Sequence, residues 1–375
     1  MKNLAMKIFT YALIACGFSS LSFAGIDDRI QDLEQEMKEI SARTPQDTLG
    51  INFQAARPEV DGTNFFLTFE ILYWHMKAGG TEYAYTSQVH PTTNLAIPIK
   101  GRAKHNDFGW DWGLKAGLGY HFPHNEWDIY ARYTWYEEDD TDQTSQHFPG
   151  RVIPDRIIFA QPAEKAKSNF DADYQAVDLE LARSYFMSSK LSVRPHLGVK
   201  STWIDLDQIV TYSFPANTSH PGFDFKSKDY NRFWGVGPRL GLDSKWHLGY
   251  GFSFFGEVST ALLYGYFKVK RKEFYPAGIF SEEGGNIYNI DNKFHLYVPF
   301  LSYYLGLCWE GYVNHKKQHI TLNLGYETQY YWRINQMLRN DDTATNFSPP
   351  FRLQFDHYSE DISFYGITGR FRLDF

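Results

Sequence analysis

The chain has 375 residues, 43% of them hydrophobic and 22% charged, with a mean hydropathy of −0.45, a formal net charge of −7 and a pI near 6.0. Beyond residue 24 no apolar run approaches the ~18 residues of a membrane helix, which excludes a helical membrane bundle, and the acidic balance argues against a nucleic-acid partner. Ten Trp, 26 Tyr, 31 Phe and 29 Gly fit neither a disordered chain nor an ordinary helical enzyme.

Residues 1–24 read as a secretory signal: Lys2 and Lys7 at the start, an apolar stretch over 8–18, and Ser22-Phe23-Ala24 as a small-x-small cleavage site before Gly25. Removing its two positive charges takes the net charge from −7 to −9. A competing reading is a lipoprotein box at Leu13-Ile14-Ala15-Cys16, which would lipidate Cys16. If Cys16 leaves with the signal, Cys308 is the one remaining thiol, and no internal disulfide is expected. Next, Ile26, Ile30, Leu33, Met37 and Ile40 form a short heptad seam over 25–43, an amphipathic or coiled-coil helix expected to promote association as a trimer. A lone amphipathic helix is the equal alternative. Residues 44–62, with Pro45, Gly50, Pro58 and Gly62, read as a linker.

From residue 63 the period changes to two. Over 108–122, Phe108, Trp110, Trp112, Leu114, Ala116, Leu118, Tyr120 and Phe122 alternate with small or charged residues. A membrane-spanning β-strand needs roughly 9–11 such residues with aromatic ends. Ten strands are predicted: 64–76, 107–122, 127–136, 173–185, 190–204, 229–246, 249–267, 293–309, 318–333 and 361–375. Their connections alternate between short turns (123–126, 186–189, 247–248, 310–317) and long loops (77–106, 137–172, 205–228, 268–292, 334–360). An even strand count with this alternation predicts an all-β, antiparallel transmembrane barrel over 63–375, with both termini periplasmic and the long loops extracellular. Twelve strands is the alternative, if 81–86 and 208–212 add two. The chain ends on Phe371, Leu373 and Phe375 in an alternating strand, which resembles the signal read by outer-membrane barrel-assembly machinery.

Several segments together resemble the Legionella-type major outer-membrane protein family, with its porin-like members in chlamydia-like bacteria. They include Phe65-Phe66-Leu67-Thr68-Phe69-Glu70-Ile71-Leu72-Tyr73-Trp74, Trp110-Asp111-Trp112-Gly113-Leu114-Lys115 and Phe233-Trp234-Gly235-Val236-Gly237-Pro238-Arg239-Leu240-Gly241. The resemblance spans about 63–375 and implies an outer-membrane channel. Related proteins of chlamydiae proper are cysteine-rich and cross-linked; with Cys308 alone this chain departs from them.

No enzyme is expected. Barrel phospholipases use Ser with His, and omptin-like proteases Asp with His, near the outer rim. Of the His residues, His121, His124, His315 and His319 flank the opposite end, and His75, His105, His147, His220 and His357 lack catalytic neighbours. His315 and His319 read as part of a solvated turn, and Glu137-Glu138-Asp139-Asp140 as a solvated loop base; no metal, cofactor or catalytic residue is assigned. Lys268, Lys270, Arg271 and Lys272 lie beyond a strand's outer end, where lipopolysaccharide phosphates are one candidate partner and solvent the other.

The expected function is passive diffusion of ions and small hydrophilic solutes through a polar lumen. Candidate pore-lining residues are Asp111, Lys115, Arg132, Glu180, Arg194, Lys200, Arg239, Glu257, Glu327, Arg370 and Arg372. With Glu70, Asp128, Asp178, Asp243 and Asp374 the inward set holds nine acids and seven bases, a weak cation preference. Hairpin register predicts Arg239 opposite Glu257, Glu180 opposite Arg194 and Asp178 opposite His196; the two Arg–Glu pairs either line a constriction or only knit the wall. The rival reading is a structural or adhesive barrel with a plugged lumen and host-contacting loops.

Overall fold

A computed structural model describes residues 55–58, 60, 62–88, 100–123, 126–157, 161–216, 222–277, 283–314, 317–340 and 355–375. The signal segment, the lipoprotein box and the heptad seam lie outside the described residues, as does most of the linker.

Ten long strands build the wall: β1 (Phe65–Ala78), β2 (Trp110–His121), β3 (Trp127–Ser145), β4 (Lys165–Arg183), β5 (Leu191–Phe214), β6 (Phe223–Gly249), β7 (Phe252–Tyr275), β8 (Gly285–Val313), β9 (Gln318–Asn335) and β10 (Glu360–Asp374). Each pairs antiparallel with the next, and β10 pairs with β1, so the sheet closes. Closure leaves the wall no open sheet edge, as a hydrocarbon surrounding demands. The seam is fastened where the termini meet: Phe375 N–H donates to Phe65 O (3.0 Å), and Thr63 Oγ1 donates to Phe375 O (2.8 Å). Phe371 faces out and lies opposite both Phe69 and Leu322, and Leu373 lies opposite Leu67 and Ile320.

The strand count agrees with ten and removes the twelve-strand alternative. Gln208 and Tyr212 lie on β5, and Glu82–Ser87 joins a separate small sheet with Ala103–His105 and Arg151–Pro154. The strands run much further than predicted at the long-loop end. The expected loops 205–228 and 268–292 are mostly strand, and Glu137 to Asp140 belong to β3 instead of a loop base.

The polarity of the wall inverts along the longer strands. Near the turns, β1 sends Phe65, Leu67 and Phe69 outward and Thr68 and Glu70 inward; further on, Leu72, Trp74 and Met76 point inward and Lys77 outward. On β6 the outward Trp246 and Trp234 are twelve positions apart. That is about 40 Å along a strand at ~3.3 Å per residue, and about 30 Å along the barrel axis at a typical ~40° tilt. These two tryptophans belong to the aromatic girdles of a lipid-facing band. Past the second girdle the alternation is that of a soluble sheet, charged outside and apolar inside.

Two registers differ from prediction by four residues. Asp243, not Arg239, lies opposite Glu257, and Arg239 lies opposite Ala261. The cause is the turn, built from Gly249 (φ 108°), Tyr250 (φ 54°) and Gly251 (φ 79°) and so centred two residues later than expected. In the preceding hairpin Glu180 lies opposite Gly198, Asp178 opposite Lys200 and Ala182 opposite His196. Tyr185–Ser188 prolongs β4 against β5, which moves the turn to Ser189 and Lys190. A shift of four preserves which face each residue occupies.

At the long-loop end a cap packs onto the barrel. Tyr83, Val152, Ile157, Ala163, Val210, Tyr212, Phe214 and Phe225 form its apolar core. The buried Arg156 donates from Nε to Glu82 O (2.8 Å), and Arg271 donates to Arg156 O (2.8 Å), Leu338 O (2.6 Å) and Asp229 (3.1 Å). Arg271 therefore points inward, apart from the lysines with which the sequence groups it. At the opposite end the described part of the linker is docked: Ala56 N–H donates to Ser184 O (3.2 Å), and Arg57 pairs with Glu126 (2.7 Å).

Candidate functional site in the barrel lumen

Three layers stack inside the wall. Nearest the short turns is a polar vestibule of about 310 Å³, lined among others by Arg57, Asp128, Arg194, Asp243 and Lys245. Here Arg194 bridges Asp128 (2.6 Å), Asp243 (2.8 Å) and Glu180 (3.5 Å). Arg372 binds Asp374 (2.6 Å) and lies 3.8 Å over the Phe66 ring. His121 and His319 flank the same Asp374, at 3.4 and 3.5 Å. His319 is thus buried on the inner face, not part of a solvated turn. His124, His315 and His220 lie outside the described residues. Among the described residues no group of three His, Cys, Asp or Glu is placed to hold a metal.

The second layer is an ion-pair mesh. Strand alternation sends Glu70 (β1), Lys115 (β2), Arg132 (β3), Asp178 and Glu180 (β4), Lys200 (β5), Arg239 (β6), Glu257 (β7), Glu327 (β9) and Arg370 (β10) inward to meet there. Lys115 bonds to Glu327 and lies 3.6 Å from Glu70. Arg132 reaches Asp178 (3.2 Å), and Lys200 reaches the same carboxylate (3.2 Å). Arg239 pairs with Glu180 and Asp178 (3.4 Å) and donates to Ser259 Oγ (2.9 Å). Arg370 spans Glu70 (2.8 Å) and Glu257 (3.0 Å from Nη2 to Oε2). Thr368 and Gln329 complete Glu327, at 2.8 and 3.0 Å. All eleven candidate lining residues therefore face the interior. Ten are tied up in these charged contacts, some between neighbouring positions of the wall and some across the lumen; Asp111 lies in register with Trp74 and accepts from the Trp112 N–H (2.7 Å). The expected Arg239–Glu257 pair does not form: the register sets Arg239 opposite Ala261 and Glu257 opposite Asp243, and the two side chains pair with Glu180 and Arg370 instead.

The third layer is apolar, and the sequence reading missed it. Trp74, Tyr136, Tyr174, Phe300, Tyr331 and Phe364 are all buried, with Leu72, Met76, Phe170 and Phe267 in the same cluster. Tyr174 stacks on Phe364 at 4.6 Å and meets Phe300's neighbour Tyr331 through its hydroxyl (2.9 Å). Trp74 also receives the Lys115 ammonium at 4.8 Å, and Phe300 that of Lys200 at 4.4 Å, so plug and mesh are joined by cation–π contacts. The signal lay in the sequence as the phase inversion of the longer strands. Beyond the plug, Glu82 of the cap is one of the charged groups outside the spanning strands: burial would raise its carboxyl, but the Arg339 hydrogen bond, a backbone hydrogen bond and the Arg339 and Arg156 charges together hold it below the usual range.

A family model described as Legionella pneumophila major outer membrane protein precursor matches residues 58–375. The chain belongs to that family. It is an outer-membrane β-barrel protein, and the match covers every strand of the wall. A search of the curated proteins finds no match. Among solved structures the chain is similar to the outer membrane protease OmpT from Escherichia coli, at 10% identity over 88% of this chain and 100% of that one, TM-score 0.40. It is also similar to a FadL homologue of Pseudomonas aeruginosa (8% identity, 83% and 89% covered, TM-score 0.24) and the toluene transporter TodX of P. putida (9%, 85% and 92%, 0.27). Identities and scores this low carry no argument about activity. Among the described residues, the lumen offers charge pairs and an aromatic stack.

Proposed function

We propose that the protein is a closed surface barrel: its lumen stays sealed in the folded state, and its loop-end platform is the part that meets the outside. The observation that carries this reading is the aromatic plug. Fully burying a large apolar side chain contributes roughly 1.5–3 kcal/mol. Displacing the six rings at the centre of the plug together costs on the order of 10 kcal/mol, so thermal opening is negligible. In this reading the long-loop end is extracellular and both termini are periplasmic. Strand β5 alone runs eleven positions past Trp203, a rigid platform for surface contacts. The terminal Phe371, Leu373 and Phe375 serve the assembly machinery, and the segment 25–43 brings copies together as a trimer. A liposome-swelling assay with small sugars tests the sealed lumen. No swelling above protein-free vesicles is expected, and swelling that slows with sugar size would overturn it.

Passive diffusion of ions and small hydrophilic solutes is the second reading. The vestibule favours it, because it carries both signs of charge from the turn end to the mesh. It requires the plug to move aside, and nine inward acids against seven bases then give a weak cation preference.

A further inference from the structure

The outer face of the wall carries a cationic lattice that the lumen does not explain. On β6, β7 and β8, just past the girdle residues Trp234, Tyr264 and Tyr297, the outward positions hold Lys228, Arg232, Lys268, Lys270, Lys272 and Lys293. Register sets Lys228 opposite Lys272, and Lys268 opposite both Arg232 and Lys293. Like charges directly opposed across strands destabilise a sheet. Arg232 is relieved by Asp207 (2.8 Å) and Lys270 by Asp291 (3.6 Å). Among the described residues Lys228, Lys268, Lys272 and Lys293 form no ion pair with a carboxylate. A repulsive lattice on the outside of a wall, directly above the lipid-facing band, calls for an anion from the membrane.

We propose that this face binds the two phosphates of lipid A, the membrane-embedded part of lipopolysaccharide. The Lys228–Lys272 and Lys268–Lys293 pairs are four positions apart on β7, about 13 Å at ~3.3 Å per residue. A rigid disaccharide bearing a phosphate at each end spans a comparable length, whereas a glycerophospholipid brings a single phosphodiester. Each phosphate then meets two ammonium groups in charge-assisted hydrogen bonds. Binding is confined to one side of the barrel. At the same height on β3, β4 and β5 the outward residues are Glu137, Asp139, Asp171, Asp173, Asp205 and Asp207, opposed to one another in register, and they repel phosphate. The site rests on the reading that the long-loop end faces the lipopolysaccharide leaflet. A binding assay on the isolated barrel does not depend on orientation or on a sealed lumen, so the two readings fail separately.

Native mass spectrometry of the folded chain in detergent tests it, by titration with bisphosphorylated lipid A, with lipid A stripped of its phosphates, and with phosphatidylglycerol. Bisphosphorylated lipid A should bind at least about tenfold more tightly than either control, the fold-change of one charge-assisted contact. The variant carrying Lys228→Gln, Lys268→Gln, Lys272→Gln and Lys293→Gln should lose that preference, and Asp139→Asn with Asp171→Asn should retain it. Equal binding of all three lipids, or unaltered binding by the quadruple variant, overturns the proposal. So does a fall in oligomer mass in both the basic-face and the acidic-face variants, which makes a second copy the partner. Should the quadruple variant not fold, wild-type binding must still weaken steeply with added salt and fall with Lys268→Gln alone; indifference to both overturns it equally.

Discussion

At the scale of single residues, the lumen is governed by the cost of leaving a buried charge alone. Removing one partner of a buried pair costs roughly 3–5 kcal/mol, whereas replacing the whole pair by uncharged groups is often nearly neutral. Lys115 is the ammonium that neutralises Glu327, whose other contacts, Thr368 and Gln329, are uncharged. Lys115→Met should therefore destabilise the barrel by about 3–5 kcal/mol, and adding Glu327→Gln should restore most of the loss. Urea unfolding in lipid vesicles, followed by tryptophan fluorescence, measures both; additive losses in the double variant would refute the account. The inward position of every one of these charges was legible from period-two alternation, because a charge facing lipid at mid-depth costs about 2–4 kcal/mol. Their partners were not legible. Arg239 meets Glu180 and not Glu257 because the turn shifts its strand by four residues and its side chain reaches past β5 to β4.

At the scale of elements, register is a property of turns. Gly251 holds φ +79°, and a Cβ there would approach Glu310 O to 2.4 Å. Gly251→Ala should cost about 1–3 kcal/mol through left-handed strain and this backbone contact. The same unfolding measurement checks it, with Gly369→Ala, whose Cβ meets nothing, as the comparison expected near zero. Equal costs at the two glycines would mean that the turn does not set the register. Strand ends were misread for a related reason. A lipid-type pattern ends at the girdle, but β5, β6, β7 and β8 continue with inverted polarity, and inversion resembles termination when only one period and phase are sought.

At the scale of the whole molecule, the closed ten-strand ring was readable from strand count and connection lengths, and the plug was not, since no single strand reveals what its inward aromatics meet. Orientation can be read by labelling. Phe148 is exposed at the long-loop end and Tyr250 at the turn end, while Cys308 is buried. A membrane-impermeant maleimide on intact cells should label Phe148→Cys and not Tyr250→Cys; the reverse pattern would turn the barrel over. The central claim is that the aromatic stack seals the lumen, and planar-bilayer conductance of the wild type beside Trp74→Ala/Phe364→Ala tests it most directly. The wild type should be silent, and trimming two rings from the plug should produce discrete current steps. Steady channel steps from the wild type, unchanged in the trimmed variant, would contradict the account.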